Sequence, residues 1–398
     1  MAERQEGSTS ANPDVPIAAY LLSFVVIGIA LASFGPALSH LRDRLHTNDG
    51  GIAFVLAGQG VGYIGGSLLA GRGLDRGRGH LWWSVALAVA TISLALAGSM
   101  PNLASMTVLF VLTGAACGVC DVAGNTLVMW SRPRGAGALL NALHLCFALG
   151  ALASPLLVNR SLHYTDSLWG VAIPMAAMTA IIVWSLMRRP APVRTRLDTV
   201  ARSDASGGRN LHVLVICLFF FAYVALEAGF AGWIHTYTEQ IHYGGAATAT
   251  GMITTFWVGF ALGRLVAIWV AGRVSPGWMV GVSVCMCVMA STMLVVFRDA
   301  GPMLWVVTFV FALSVAPQYA SMMAFAESHL ALSGGNIAAI IGASGLGGLL
   351  LPWAIGQLFD AVGPKALPYT TLAVSAATAV IAGAAGAMLV NAHRPPLT

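Results

Sequence analysis

The sequence predicts an all-α polytopic membrane protein: twelve transmembrane helices in two pseudo-symmetric six-helix halves. Three observations predict this. First, only 9% of the 398 residues are charged and 58% are hydrophobic, whereas soluble domains carry about 25% charged residues. Second, apolar stretches long enough to cross the hydrocarbon core as helices recur along the chain, separated by short loops that hold most of the arginines. Third, the chain repeats itself at a constant offset of 197 residues. Gly62 and Gly66 recur as Gly259 and Gly263, Arg76 recurs as Arg273, and the stretch Leu149–Pro155 recurs as Leu346–Pro352. Each match is cheap in a chain rich in Gly, Ala and Leu, but a shared register is not. Duplicated apolar halves point to a secondary transporter with its site between them.

The spans follow in order. The first covers 16–39; it is too long for a signal-peptide core and lacks a small-residue cleavage site, so it is read as a retained span. The second, 51–71, carries the GVGYIGG frame, and the third covers 81–99. The fourth, 103–130, contains Asp121, and the glycine-rich fifth, 137–159, runs into Pro155. The sixth, 167–187, ends at the polar segment Arg188–Asn210. The seventh, 211–237, contains Glu227, and the eighth, 246–272, carries WVGFALGR. The ninth and tenth cover 277–297 and 302–326. The eleventh, 335–357, repeats the glycine-rich pattern up to Pro352, and the twelfth covers 367–391. Barrel strands would instead alternate apolar and polar residues over short segments. The domain reading is a disordered cytoplasmic N-terminus (1–14), a six-helix half (15–187), a cytoplasmic linker (188–210), a second half (211–391) and a cytoplasmic tail (392–398).

Orientation follows from the cations. With the N-terminus inside, fourteen Arg face the cytoplasm, from Arg4 through Arg72, Arg76, Arg78 and the linker to Arg273 and Arg394. Five cations face outward: Arg42, Arg44, Arg160, Arg298 and Lys365. The net charge of +5 therefore reports topology, and no basic stripe interleaved with aromatics argues for nucleic acid. All six cysteines fall within spans and read as small packing residues; the Cys117/Cys120 pair has redox spacing but no βαβ context. No metal site or bound cofactor is expected.

Ionisable groups at membrane depth are costly and are functional candidates by default. Asp121 lies in the fourth span with Asn125 one turn on, so the two share a face. Glu227 sits mid-span in the seventh, and His144 lies in the fifth with Asn141 three residues earlier. Gln59, Gln318 and Tyr319 add uncharged polar groups in the second and tenth spans. Arg264 and Glu327 read as structural groups near helix ends. Removal from water favours the neutral form of a carboxylate, which makes Asp121 or Glu227 a candidate proton carrier. An oxygen-rich cluster suits a dehydrated Na⁺ equally. Sugars want amides and carboxylates for their hydroxyls and an aromatic plate for the ring. Asn125, Asn141, Gln59 and Gln318 offer the first, and Trp233, Phe230, Tyr237 and Trp257 the second. The interface belt of aromatics accounts for Trp233 and Tyr237 as well.

Between the second and third spans the loop reads Gly71-Arg72-Gly73-Leu74-Asp75-Arg76-Gly77-Arg78-Gly79. It resembles the cytoplasmic loop motif of the major facilitator superfamily, less the residue that usually follows Asp-Arg. The resemblance implies a cytoplasmic latch in which Asp75 and Arg76, with Arg273 of the second half, hold the outward-open state. The second half has Gly272 where Asp75 would be, so one half carries the carboxylate. Further stretches carry a closer likeness: Asp121–Asn125, Leu143–Gly150, Tyr223–Tyr237, Ser333–Gly335 and Gly342–Asp360. Together they resemble the branch that contains the sodium-dependent glucose transporters and the fucose–proton symporters. This implies the major facilitator fold and monosaccharide uptake coupled to H⁺ or Na⁺, with Asp121 and Asn125 matching the acid–amide pair of that branch. One departure stands out: fucose symporters carry a carboxylate in the first span four residues before a proline, and here Ala32 precedes Pro36. The resemblance therefore leans toward the glucose transporters, or toward Glu227 as the second acid.

The expected function is a secondary active transporter for a small polar solute, a monosaccharide first. It would sit as a monomer in a bacterial inner membrane and work by alternating access. A proton-coupled exporter of drugs or metabolites on the same fold is the alternative. A membrane enzyme or receptor would need reactive groups gathered at one interface, or a sizeable soluble domain, and the chain shows neither.

Overall fold

The computed structural model describes residues 15–131, 136–192, 208–271, 273–298, 301–330 and 334–391. The expected tails 1–14 and 392–398, and 193–207 of the linker, lie outside these. The first half comprises α1 (Ile17–Ala32), α2 (Phe34–Arg44), α3 (Asp49–Asp75), α4 (Gly79–Ala97), α5 (Leu103–Ser131), α6 (Ala136–Thr165) and α7 (Trp169–Met187). The second comprises α8 (Gly208–Gln240), α9 (Ala246–Ala271), α10 (Pro276–Val296), α11 (Gly301–Val315), α12 (Gln318–His329), α13 (Gly334–Val362) and α14 (Ala366–Asn391). Among the described residues eleven stretches are long and apolar enough to cross a membrane; the last, Ala339–Leu389, holds both α13 and α14. These two are separated by a 3-10 turn at Gly363–Lys365, where Gly363 has φ +73°. That gives twelve crossings, as the sequence predicts.

Local chemistry sets the helix ends. Asn48 caps α3 by accepting from the Gly51 amide at 2.8 Å. Ser275 caps α10, with Pro276 in the first turn, where its missing N–H is no loss. Two crossings are broken rather than continuous. The first divides at Ser33, where Pro36 has no N–H to return to the Ala32 carbonyl. The tenth divides at Pro317. Pro155 and Pro352 sit inside α6 and α13 at equivalent places in the repeat.

The repeated glycines mark the same packing in each half. At Gly62 and Gly66 of α3, a methyl group would lie 2.0 Å from the carbonyl oxygens of Val111 and Ala115 on α5. At Gly259 and Gly263 of α9 it would lie 2.7 and 2.6 Å from those of Phe309 and Leu313 on α11. Likewise Gly150 of α6 meets α1 at Val25, and Gly347 of α13 meets α8 at Phe221. Small residues let these backbones touch, which is how apolar helices gain contact energy inside a bilayer, where lipid offers no hydrophobic contrast. Gly66→Leu is therefore expected to destabilise the folded protein by at least about 1–3 kcal/mol, since backbone must move to admit the side chain. A fall in melting temperature and in folded yield checks this; wild-type values would contradict the packing.

Between the halves α3 packs on α13, α6 on α9, and α2 on α8. The first two contacts are equivalent under the repeat. An even number of crossings brings both chain ends and the 188–210 link to one face, here termed the terminal face, opposite the far face.

Candidate functional site

The far face is sealed by polar contacts across the halves. Asp360, near the end of α13, accepts from the backbone amides of Asp49 and Gly50 at 3.1 and 2.6 Å, and so caps the first turn of α3. Gln357 donates to the Gly50 carbonyl at 2.8 Å. Asp49 in turn accepts from Arg42 at 2.8 Å and from Gln240 at 2.5 Å. Beside them Ser39 of α2 lies 3.5 Å from Thr236 of α8 and donates to Glu239. Ser39 and Thr236 are themselves 197 residues apart, so equivalent positions of the repeat meet at the pseudo-symmetry axis. Below this layer Trp233 stacks on Phe359 with ring centroids 5.0 Å apart and donates to the Pro352 carbonyl at 2.8 Å. At the other end, α5 packs on helices of its own half and α12 on α8, α10 and α14.

Midway along the molecule the costly groups gather. Asp121 of α5 accepts from the Tyr63 hydroxyl of α3 at 2.5 Å and from the Asn125 amide at 2.9 Å. From the second half, Glu227 accepts from the Tyr223 hydroxyl, one turn earlier on α8. Arg264 of α9 lies within electrostatic reach of Glu227, Tyr223, Tyr319 and His144. Its guanidinium sits 5.0 Å from the Phe260 ring centre. Tyr319 of α12 stands between the two acids, within reach of both, and its ring lies 6.1 Å from that of His144 on α6. Phe24, Phe220 and Tyr223 complete the aromatic surround, their rings 5.9 Å from His144, 5.0 Å from Tyr319 and 5.9 Å from Tyr319. Asp121, Asn125, Tyr63, His144, Glu227, Arg264 and Tyr319 are each half-buried. Six helices, three from each half, thus converge acids, amide, hydroxyls and a guanidinium on one layer. Such a layer can bind a polyhydroxylated solute and carry an ion, and rocking of the halves would expose it to either side. Away from this layer a cleft of about 690 Å³ lies between α10, α12 and α14, lined mostly by apolar side chains such as Val284, Met322 and Phe325. It holds none of these charged groups.

Comparison with known proteins decides the family. Residues 20–352 match the family model of the Major Facilitator Superfamily. The chain belongs to the major facilitator superfamily. A Xenopus laevis protein named sodium-dependent glucose transporter 1 is 26% identical over 383 residues, covering 89% of this chain and 78% of the relative. The crystal structure of a D-xylose–proton symporter superposes with a TM-score of 0.77 at 11% identity, over 93% of this chain and 96% of the other. That of the nucleoside transporter NupG does so with a TM-score of 0.72 at 15% identity, over 93% and 98%. The protein is accordingly a multi-pass membrane transporter of the superfamily, and its sequence resembles the sodium-dependent glucose transporter branch.

Within this superfamily fold the sequence-predicted residues divide. Asp121, Asn125, Glu227 and His144 come together in the central layer. Gln59 lies one turn from Tyr63 on α3, its amide nitrogen buried without a partner. Trp257 packs at the α6–α9 contact, 6.2 Å from Phe147, and its indole N–H has no partner. Gln318 does not reach the layer. It is fully buried within the second half, donating to the Ser314 carbonyl at 3.2 Å, because one residue's rotation on the helix sends Tyr319 inward in its place. Trp233 is no sugar plate either; it is buried in the far-face contact. Arg264, read from sequence as structural and near a helix end, lies two turns inside the end of α9, in the layer itself. The side chains of Asn141, Asp75 and Glu327 lie outside the described residues. Of the expected latch, Arg76 is exposed and Arg273 lies over Trp269 at 4.1 Å within its own half. Tyr63, Tyr223 and Arg264 are the site residues that sequence reasoning missed.

Proposed function

We propose that this chain is a secondary active transporter that moves a monosaccharide across a bacterial inner membrane by alternating access, coupled to H⁺ or Na⁺. Both termini are cytoplasmic in this reading, and a monomer suffices. One observation carries it: two hydrogen-bonded acids, Asp121 and Glu227, face one layer from opposite halves, with hydroxyls and aromatic rings between them. Acids and amides pair with sugar hydroxyls, and the rings of Tyr319, Phe24 and Phe220 offer an apolar surface to a pyranose. The name of the Xenopus laevis relative and the sugar transported by the D-xylose–proton symporter point the same way. A cavity for apolar drugs would not be built around two carboxylates, which favours the symporter over an exporter of apolar compounds.

The test is a thermal-shift screen of monosaccharides with and without Na⁺ at two pH values. A ligand that binds the folded state raises the melting temperature, and the ion dependence of that shift reports the coupling ion. The expected outcome is a saturable shift with at least one hexose or pentose, strengthened by Na⁺ or by lower pH. No shift with any sugar or sugar acid would remove this reading.

A further inference from the structure

The central layer has an unbalanced inventory. Both carboxylates are satisfied, Asp121 by Tyr63 and Asn125 and Glu227 by Tyr223. The cation is not. Among the described residues Arg264 makes no hydrogen bond and no ion pair, and its Nε is buried without a partner. Glu227, within electrostatic reach, is turned to a tyrosine hydroxyl instead. Trp257 adds a second buried donor without an acceptor, seven residues earlier on the same face of α9. A guanidinium at membrane depth is held without a partner only where something else completes it.

We infer that Arg264 is the carboxylate subsite of this transporter, and that its preferred cargo is a sugar acid rather than a neutral sugar. The inference rests on the sugar reading given above and names the substrate class within it. The guanidinium fork matches a carboxylate in two parallel hydrogen bonds, with Phe260 supporting its face. The hydroxyls of the same molecule then fall to Asp121, Asn125 and Tyr319. A phosphate dianion fits less well, because Asp121 and Glu227 stand close by and repel a second negative charge. A neutral sugar offers the guanidinium no carboxylate acceptor in the loaded state.

The experiment compares four ligands on purified protein by melting-temperature titration: D-glucuronate, D-gluconate, D-glucose, and lactate as a non-sugar carboxylate. The sugar acids are expected to bind tighter than D-glucose by about tenfold or more, the scale of a charge-assisted pair in a desolvated site. Arg264→Gln is expected to erase that preference, and Arg264→Lys to keep part of it, having the charge without the fork. D-glucose binding as tightly as D-glucuronate in the wild-type protein overturns the subsite and leaves the sugar reading standing. Lactate alone binding, in an Arg264-dependent way, supports the anion subsite and removes the sugar. Binding by none of the four overturns both. Should Arg264→Gln not fold, the wild-type comparison and Arg264→Lys still decide.

Discussion

Asp121→Asn is expected to abolish concentrative uptake while leaving the protein inserted and folded. The two side chains have nearly the same shape, so packing on α5 is kept. What changes is the hydrogen bonding: Asp121 accepts from Tyr63 at 2.5 Å and from Asn125 at 2.9 Å. An amide keeps one acceptor and turns a donor toward the other partner. With its oxygen kept on Asn125, its NH2 faces the Tyr63 hydroxyl, which can accept it, so the cost is mainly the exchange of charge-assisted bonds for neutral ones, about 1 kcal/mol. A loss of that size lowers the melting temperature by a few degrees, which does not unfold the protein. Transport is affected differently, because an amide neither carries a proton nor balances a cation. Internal solute should then rise no higher than external solute, while exchange down a gradient persists. Uptake into proteoliposomes with an imposed ion gradient, alongside a melting curve, checks this. Normal accumulation by the variant would remove Asp121 from the coupling step.

Asp49→Ala is expected to open the far face. Asp49 holds Arg42 at 2.8 Å and Gln240 at 2.5 Å, and its side chain is only 10% exposed. The Gln240 bond joins the two halves, Arg42 of α2 braces Asp49 from within its own half, and water screens both only weakly. Hydrogen bonds to a charged group contribute about 1.5–3 kcal/mol each, and the loss leaves Arg42 without this partner. Even a net 1.4 kcal/mol moves a two-state equilibrium about tenfold toward the open form. Spin labels at Tyr164→Cys and Lys365→Cys, both exposed at the far face of opposite halves, read the change. A longer-distance population should grow in the variant. An unchanged distribution would mean that apolar contacts such as Trp233 on Phe359, rather than the polar layer, keep this face shut.

Much of this was legible along the chain, and the reasons for the exceptions are physical. Twelve crossings follow from length and apolarity, because a bilayer leaves the backbone few options. The repeat at 197 residues was visible as glycines, and those glycines stand where α3 touches α5 and α9 touches α11. Asp121 and Asn125 were readable as a pair because one helical turn separates them. The same rule applies to Tyr223 and Glu227, four residues apart, and would have found that pair. Tyr63 gave no such signal: it reaches Asp121 from another helix, 58 residues away in the chain. Gln318 and Tyr319 could not be ranked from sequence, since one step around a helix decides which faces the site. Arg264 stands two turns inside the end of α9, and its place in the span does not show that helix packing brings it within reach of Glu227 and His144. The far-face cap of α3 by Asp360 joins residues 311 apart, a pairing that only the docking of the halves creates.

In the proposed mechanism, two acids facing one layer drive a sugar through this fold. The most direct measurement is uptake of radiolabelled monosaccharides and sugar acids by proteoliposomes containing the purified protein. A proton gradient, a sodium gradient or neither would be imposed. Accumulation above the external concentration is expected under one of the two gradients, and only equilibration without any. Absence of gradient-dependent accumulation for every sugar and sugar acid tried would contradict that mechanism.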